Sequence, residues 1–230
     1  MKICGMEKFS MVDYDGYIAC TVFTPGCNFR CPFCHNASLV TEEAVLIDEN
    51  EVFSYLAKRK GLVDAVCITG GEPTLQPDLE SFIRKMRALG YRVKLDTNGT
   101  NPETLEKMIG EGLLDYVAMD IKSDFDGYFE AIGIPAPALI EKLKRSVEIL
   151  KSAPIDYEFR TTAIREFHSE KNFARIAEIV RGAKRFFIQK FKESETNLTQ
   201  GILHELPEAD AKIFLATVQK TVAFAGLRGY

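Results

Sequence analysis

The sequence predicts an α/β protein, a partial, TIM-like (β/α)6 barrel in a single domain over residues 1–230. Three observations carry this. Apolar, β-rich runs alternate with segments of helical periodicity through about six units, the pattern of a parallel sheet flanked by helices. No linker or low-complexity segment divides the 230 residues, a length that suits one domain with its own core. Polar residues gather where successive strands end, and α/β folds bind ligands beyond the carboxyl ends of their strands. Right-handed crossovers allow a barrel or an open doubly wound sheet; about six units fall short of the eight that close a barrel, which points to a partial one.

The elements follow in order. Residues 1–16 read as an N-terminal extension, and 17–23 as a strand running into a cysteine loop. After an irregular stretch, Asp48 with Glu51 gives a capping-box signal for a helix carrying Val52, Phe53 and Leu56 and stopping at Gly61. Residues 65–69 form a short strand. A helix follows with Pro77 at its first position, a stripe of Leu79, Phe82, Ile83, Met86 and Leu89, and Gly90 at its end. Residues 91–96 are a strand, and Asn101-Pro102 starts a helix carrying Leu105, Met108 and Ile109. Residues 116–121 are a strand, followed by a helix with Leu139, Ile140, Leu143, Val147 and Leu150 that ends before Pro154. A strand at 157–164 precedes a helix with Phe173, Ile176, Ala177 and Val180, closed by Gly182. The last strand is 185–191. Residues 192–230 read as a C-terminal loop and a helix started by Pro207, with a frayed end at Arg228-Gly229-Tyr230.

Composition excludes some classes of function. The net charge of −4 argues against bulk binding of nucleic acid or an anionic membrane. Lys58-Arg59-Lys60, the longest basic cluster, sits at a helix C-terminus, where solvated cations complement the dipole. No stretch approaches the ~20 apolar residues that span a bilayer, and no signal-peptide pattern opens the chain. A cytoplasmic protein is expected.

Cys27, Cys31 and Cys34 crowd into one loop, whereas Cys4, Cys20 and Cys67 are scattered. Cys20 and Cys67 lie in apolar strands and read as buried free thiols. Clustered cysteines favour a metal or redox site over a disulfide framework. Structural zinc and most iron–sulfur clusters take about four protein ligands, so three leave a coordination position open. His35 is an alternative fourth ligand for zinc.

The other strand ends carry Gly70-Gly71-Glu72-Pro73, Asp96-Thr97-Asn98-Gly99, Asp120-Ile121-Lys122, Arg160, and Gln189 with Lys190. Each has an ordinary explanation. A Gly pair makes a tight turn or lets backbone approach a ligand. Asn98-Gly99 makes a turn. Asp120 and Lys122 share a strand face and can pair with each other. His168 and His204, in polar contexts, read as exposed. Together, polar groups at successive strand ends imply one shared mouth.

Cys-x3-Cys-x-aromatic-Cys, with Phe33 as the aromatic, resembles the signature of the radical S-adenosylmethionine (SAM) superfamily, and Gly70-Gly71-Glu72-Pro73 resembles its second motif. Val12-Asp13-Tyr14-Asp15-Gly16, Thr24-Pro25-Gly26-Cys27, Cys34-His35-Asn36 and the Asp96 and Asp120 motifs are similar to glycyl-radical-enzyme activases. Within that group, length and motif wording are most similar to the activating proteins of anaerobic ribonucleoside-triphosphate reductase.

The resemblance implies a [4Fe–4S] cluster on Cys27, Cys31 and Cys34, with SAM chelating the unique iron. Reductive cleavage of SAM would then generate a glycyl radical on a partner enzyme. It further implies that Gly70, Gly71 and Glu72 meet the methionyl amino group. Asp96, Asn98, Lys122 and Arg160 would surround the SAM carboxylate and ribose. Phe33, His35 and Asn36 would pack beside the cluster, and Gln189 would sit at the adenine end. Asp96 and Asp120 would hold a monovalent cation, and Asp13 or Asp15 would touch the substrate loop. A flavodoxin-type electron donor is the implied reductant. Absence of a further cysteine cluster argues against an auxiliary cluster. Three alternatives stay open: activation of pyruvate formate-lyase or another glycyl-radical enzyme, radical SAM chemistry on a small molecule, and a non-catalytic iron–sulfur or zinc protein. The tail Leu227-Arg228-Gly229-Tyr230 resembles the radical-bearing segment of glycyl-radical enzymes, which makes a pseudo-substrate tail an alternative to fraying.

Overall fold

Runs of β-branched and aromatic residues, punctuated by glycine and proline, become strands because their side chains pack on both faces of a pleated sheet. In the computed structural model, which describes residues 1–40 and 44–230, the chain forms one eight-stranded sheet in the order β1 to β8. The strands are β1 (Gly5–Ser10), β2 (Ala19–Thr24), β3 (Ala65–Gly70), β4 (Arg92–Thr97), β5 (Tyr116–Asp120), β6 (Asp156–Ala163), β7 (Arg185–Lys190) and β8 (Phe224–Arg228). Neighbours from β2 to β8 are parallel, and β1 runs antiparallel to β2. The helices are α1 (Ala37–Val40), α2 (Glu49–Lys58), α3 (Leu79–Ala88), α4 (Pro102–Gly110), α5 (Tyr128–Ile132), α6 (Ala138–Ser152), α7 (Glu170–Ile179) and α8 (Glu208–Val218). The sheet is not closed, as expected of a partial barrel.

Three expectations are corrected. The extension at 1–16 contains β1, and the tail is not frayed but contains β8, paired in parallel with β7 from Arg185↔Phe224 to Gln189↔Arg228. Both are end strands. Lys8 in β1 and Gly226 in β8 weaken the local strand signal, and pairing with a single neighbour supplies what local propensity lacks. Pro77 does not open its helix. A 3-10 turn at Pro73–Leu75 intervenes, and Asp78 stands at the N-cap of α3. Asp48 caps α2 through the amide of Asn50 at 2.9 Å. The irregular stretch before Asp48 includes residues 41–43, which lie outside the described residues.

Side-chain alternation divides the sheet. Val22, Ile68, Leu95, Val117, Phe159 and Ile188 face the helices in the main core. The opposite, inner face bears a small cluster of Tyr14, Ala19, Ala65, Cys67, Tyr116 and Ala118. By the same alternation Lys94, Asp96, Asp120, Glu158, Arg160 and Gln189 belong to this inner face. Burying the apolar side fully leaves the inner face free to be polar, and the strand ends set that polarity around a cavity.

Candidate active site

The cysteine loop leaves β2 through Pro25 and Gly26, and the loop after β3 lies directly against it. Gly71 N–H donates to Thr24 O at 2.8 Å, and Glu72 N–H donates to Gly26 O at 2.8 Å. A Cβ on Gly71 would stand 2.0 Å from Gly26 O, and one on Gly70, whose φ is +122°, 2.3 Å from Thr24 N. Both glycines are therefore required by the contact of two backbones of this chain, and both also line the cavity.

That cavity, of about 200 Å³, is bordered by Cys27, Cys31, Cys34, Phe33, His35 and Asn36 from the cysteine loop, and by Gly70, Gly71, Asp96, Asn98, Asp120, Lys122 and Arg160 from later strand ends. All three cysteines are free thiols. Burial pushes Cys27 up to about 11 and Cys31 up to about 12, since a thiolate loses its hydration there. Phe29 N–H donates to Cys27 Sγ at 3.4 Å. Among the described residues no three His, Cys, Asp or Glu side chains stand converged around a metal position, the thiols included. Their chemistry nonetheless fits a thiophilic centre: three soft donors share one cavity with no disulfide competing for them.

Beside the thiols runs an alternating charge chain. Lys94 Nζ lies 2.6 Å from Asp96, Arg160 Nη1 3.1 Å from Asp96, Arg160 Nε 2.9 Å from Asp120, and Lys122 Nζ 2.8 Å from Asp120. Asp96, Arg160, Asp120 and Lys122 border the cavity, two cations against two anions, while Lys94 borders a second one; Lys122 and Arg160 are the groups able to meet an anionic ligand group. Burial alone would raise the Asp120 carboxyl, but Arg160 and Lys122 outweigh it and hold it down at about 2. Asp96 is lowered in the same way, with Arg160 and Lys94 overcoming burial. Burial would lower Lys122, and Asp120 reverses that and raises it. Both carboxylates expected to hold a monovalent cation are thus engaged by Lys and Arg. Lys122 Nζ also lies 5.8 Å from the centre of the Phe33 ring.

Two of the expected site residues, Glu72 and Gln189, do not border this cavity. Glu72 is fully buried and does not border the cavity. Its Oε1 accepts from Thr74 N at 3.0 Å, Thr74 Oγ1 at 2.6 Å and Thr97 Oγ1 at 2.8 Å, and its Oε2 accepts from Asn98 N at 2.6 Å. Burial raises its pKa against the pull of these donors. The carboxylate ties the loop after β3 to the end of β4 because those amides and hydroxyls have no ladder partner. Gln189 borders a second cavity of about 250 Å³ with Asp13, Asp15, Lys94, Glu158 and Arg228. Arg160 borders both cavities.

His168, expected to be exposed, is 5% exposed. Its Nδ1 accepts from Ile164 N at 3.0 Å, so Nε2 carries the proton and donates to Lys122 O at 3.1 Å, fixing the strand end that presents Lys122. Burial drives it down to about 4. His204 is exposed, as expected, and lies 2.6 Å from Glu166. Lys94 and Asn28 were not found by sequence reasoning. Lys94 shares a strand face with Asp96, a legible signal. Asn28 closes a ring of hydrogen bonds, donating to Thr100 Oγ1 and accepting from Asn98 Nδ2, each at 2.8 Å, and no local pattern announces it.

A family profile described as the Radical SAM superfamily matches residues 21–181. The Methanocaldococcus jannaschii protein named "Putative glycyl-radical enzyme activating enzyme MJ1227" is 33% identical over 196 residues, covering 84% of this chain and 81% of its own. The "Probable GTP 3',8-cyclase" of Saccharolobus solfataricus is 31% identical over 129 residues, covering 55% of this chain and 42% of its own. Among solved structures, SuiB of Streptococcus suis superposes with a TM-score of 0.66 at 19% identity, over 91% of this chain and 48% of its own. The structure titled "Native anSMEcpe with bound AdoMet" gives 0.60 at 18% identity, over 86% of this chain and 58% of its own. These structures share the fold. The chain spans less than half the length of SuiB and of the cyclase.

Proposed function

The chain belongs to the radical SAM superfamily, and on that premise we propose that it is the activase of a glycyl-radical enzyme, most consistent with anaerobic ribonucleotide reductase as partner and a flavodoxin-type electron donor. One observation carries the reading: three free thiols and the strand-end charges Asp96, Asp120, Lys122 and Arg160 border a single cavity. The likeness to the M. jannaschii protein over 84% of the chain supports the activase assignment. The likeness to the cyclase, which covers 55%, lends less support to a small-molecule substrate.

In this reading Cys27, Cys31 and Cys34 hold a [4Fe–4S] cluster whose remaining iron takes SAM. When bound, the pair supplies the electron and the adenosyl group with which a hydrogen atom is removed from a backbone glycine of the partner. The protein supplies binding and placement. Lys122 and Arg160 are the cations for the SAM carboxylate, already fixed in direction by Asp120 and Asp96. Gly70 and Gly71 let the methionyl end approach backbone, and Asn98 offers an amide to the sugar. Glu72 acts from beneath the wall by holding Asn98 in place. Gln189, Asp13 and Asp15 border the second cavity, which suits the partner's segment because Arg160 joins it to the first.

Anaerobic reconstitution with iron and sulfide, reduction and electron paramagnetic resonance test this. A reduced-cluster signal that changes on adding SAM, and a glycyl doublet on co-incubated ribonucleotide reductase, are expected. Zinc uptake without SAM cleavage would sink the reading, and a doublet only on another glycyl-radical enzyme would redirect the partner.

A further inference from the structure

The cysteine loop lies outside the sheet, so its carbonyls need partners from elsewhere. Its second half finds them in one short turn far along the chain. Thr199 N–H donates to Pro32 O at 2.9 Å, Asn197 Nδ2 to Phe33 O at 3.0 Å, and Leu198 N–H to Cys34 O at 3.2 Å. Three successive carbonyls thus meet three successive residues, with a separation of 164 positions between Phe33 and Asn197. Asn197 is 5% exposed. Its orientation is set by chemistry: Ser194 N at 2.5 Å and Ser194 Oγ at 3.0 Å donate to Oδ1, which leaves Nδ2 for Phe33 O, a pure acceptor. The same amide stands 3.4 Å from His35 Nδ1, and the His35 ring stacks on Phe191 at 5.8 Å.

The first half of the loop is held independently. Asn28 bonds to Thr100 and Asn98, and Arg30 N–H donates to Ile132 O at 2.8 Å. We propose that Asn197 is a positioning residue for the cysteine loop, bracing Pro32 to Cys34 so that Cys31 and Cys34 are presented to the iron–sulfur centre and Phe33 stays against Lys122. This rests on the cluster assignment above, whereas the brace is made by this chain's own groups. It acts through backbone placement and touches no reacting atom.

Hydrogen exchange of the metal-free protein, read by mass spectrometry, tests it in Asn197→Ala, Asn197→Asp and the milder Ser194→Ala. Loss of the amide donor should speed exchange of residues 31–36 about tenfold, the factor carried by one buried hydrogen bond. Exchange in β3 and β4 should stay at wild-type values. Alkylation of Cys34 should accelerate by a similar factor while that of Cys67 does not. After reconstitution, the variants should lose iron to a chelator faster and show a broadened reduced-cluster resonance. Unchanged exchange at 31–36 overturns the proposal, as does faster exchange spread equally over β3 and β4 in all three variants. If wild type takes up no iron, the cluster reading fails while the exchange result still decides the brace.

Discussion

Glu72 belongs to a motif whose two glycines border the cavity, yet its own carboxylate works behind the cavity wall. Its carboxylate meets four donors, so removing it strands buried amides and hydroxyls that each cost about 1–3 kcal/mol when unpaired. Glu72→Ala should lower stability in urea by roughly 3 kcal/mol and weaken SAM binding through displaced Asn98. Arg160→Ala tests the contrasting case of a cation on the cavity wall: iron content after reconstitution should match wild type while SAM affinity falls about tenfold or more. Equal loss of iron in both variants would refute the division of roles. His168 offers a pH test. The unfolded imidazole takes a proton near 6.5, the buried one only near 4, so stability is fully present above 6.5 and declines as pH falls towards 4. The loss should be on the order of 3 kcal/mol. Denaturation of the metal-free protein between pH 7 and pH 4 should show this slope, reduced in His168→Gln.

At the scale of elements, the loops after β2 and β3 act as one unit because their backbones touch. Gly71→Ala drives a Cβ into Gly26 O, and the two loops must separate. A stability loss of at least about 3 kcal/mol, with loss of iron uptake, is expected. Gly182→Ala is the control. Its φ is +81°, but nothing lies within 4 Å of the added carbon, so roughly 1 kcal/mol is lost and iron uptake is kept. Equal effects of the two substitutions on iron uptake would contradict the close-approach account. The parallel strands β2 to β7 were legible because apolar runs broken by Gly and Pro are local signals. β1 and β8 were not, since Glu7, Lys8 and Gly226 carry no strand signal of their own and the neighbouring strand creates one.

For the molecule as a whole, the end strands β1 and β8 do not pair, and Arg228 bridges the gap between β8 and the β1–β2 loop. Its guanidinium meets Glu158 at 2.6 and 2.9 Å and Asp15 at 2.7 Å, and lies 3.5 Å from the centre of the Phe187 ring. Glu158 is 1% exposed, so Arg228→Ala leaves a buried carboxylate without its cation, a loss of about 3–5 kcal/mol. Thermal melting should register it, and exchange in β8 should rise well above that in β4; a melting temperature equal to wild type would show the clasp to be idle.

The kind and order of the parallel elements and the cysteine set are readable along the chain, because strand and helix periods and cysteine spacing are written within a few neighbouring positions. Folding alone reveals that Glu72 supports rather than lines the cavity, that Gln189 belongs to the second cavity, that His168 is buried against Lys122, and that Asn197 braces the cysteine loop. Each depends on a hydrogen bond or ion pair between residues tens of positions apart. Such partners are chosen by packing, and packing leaves no periodic trace in the chain.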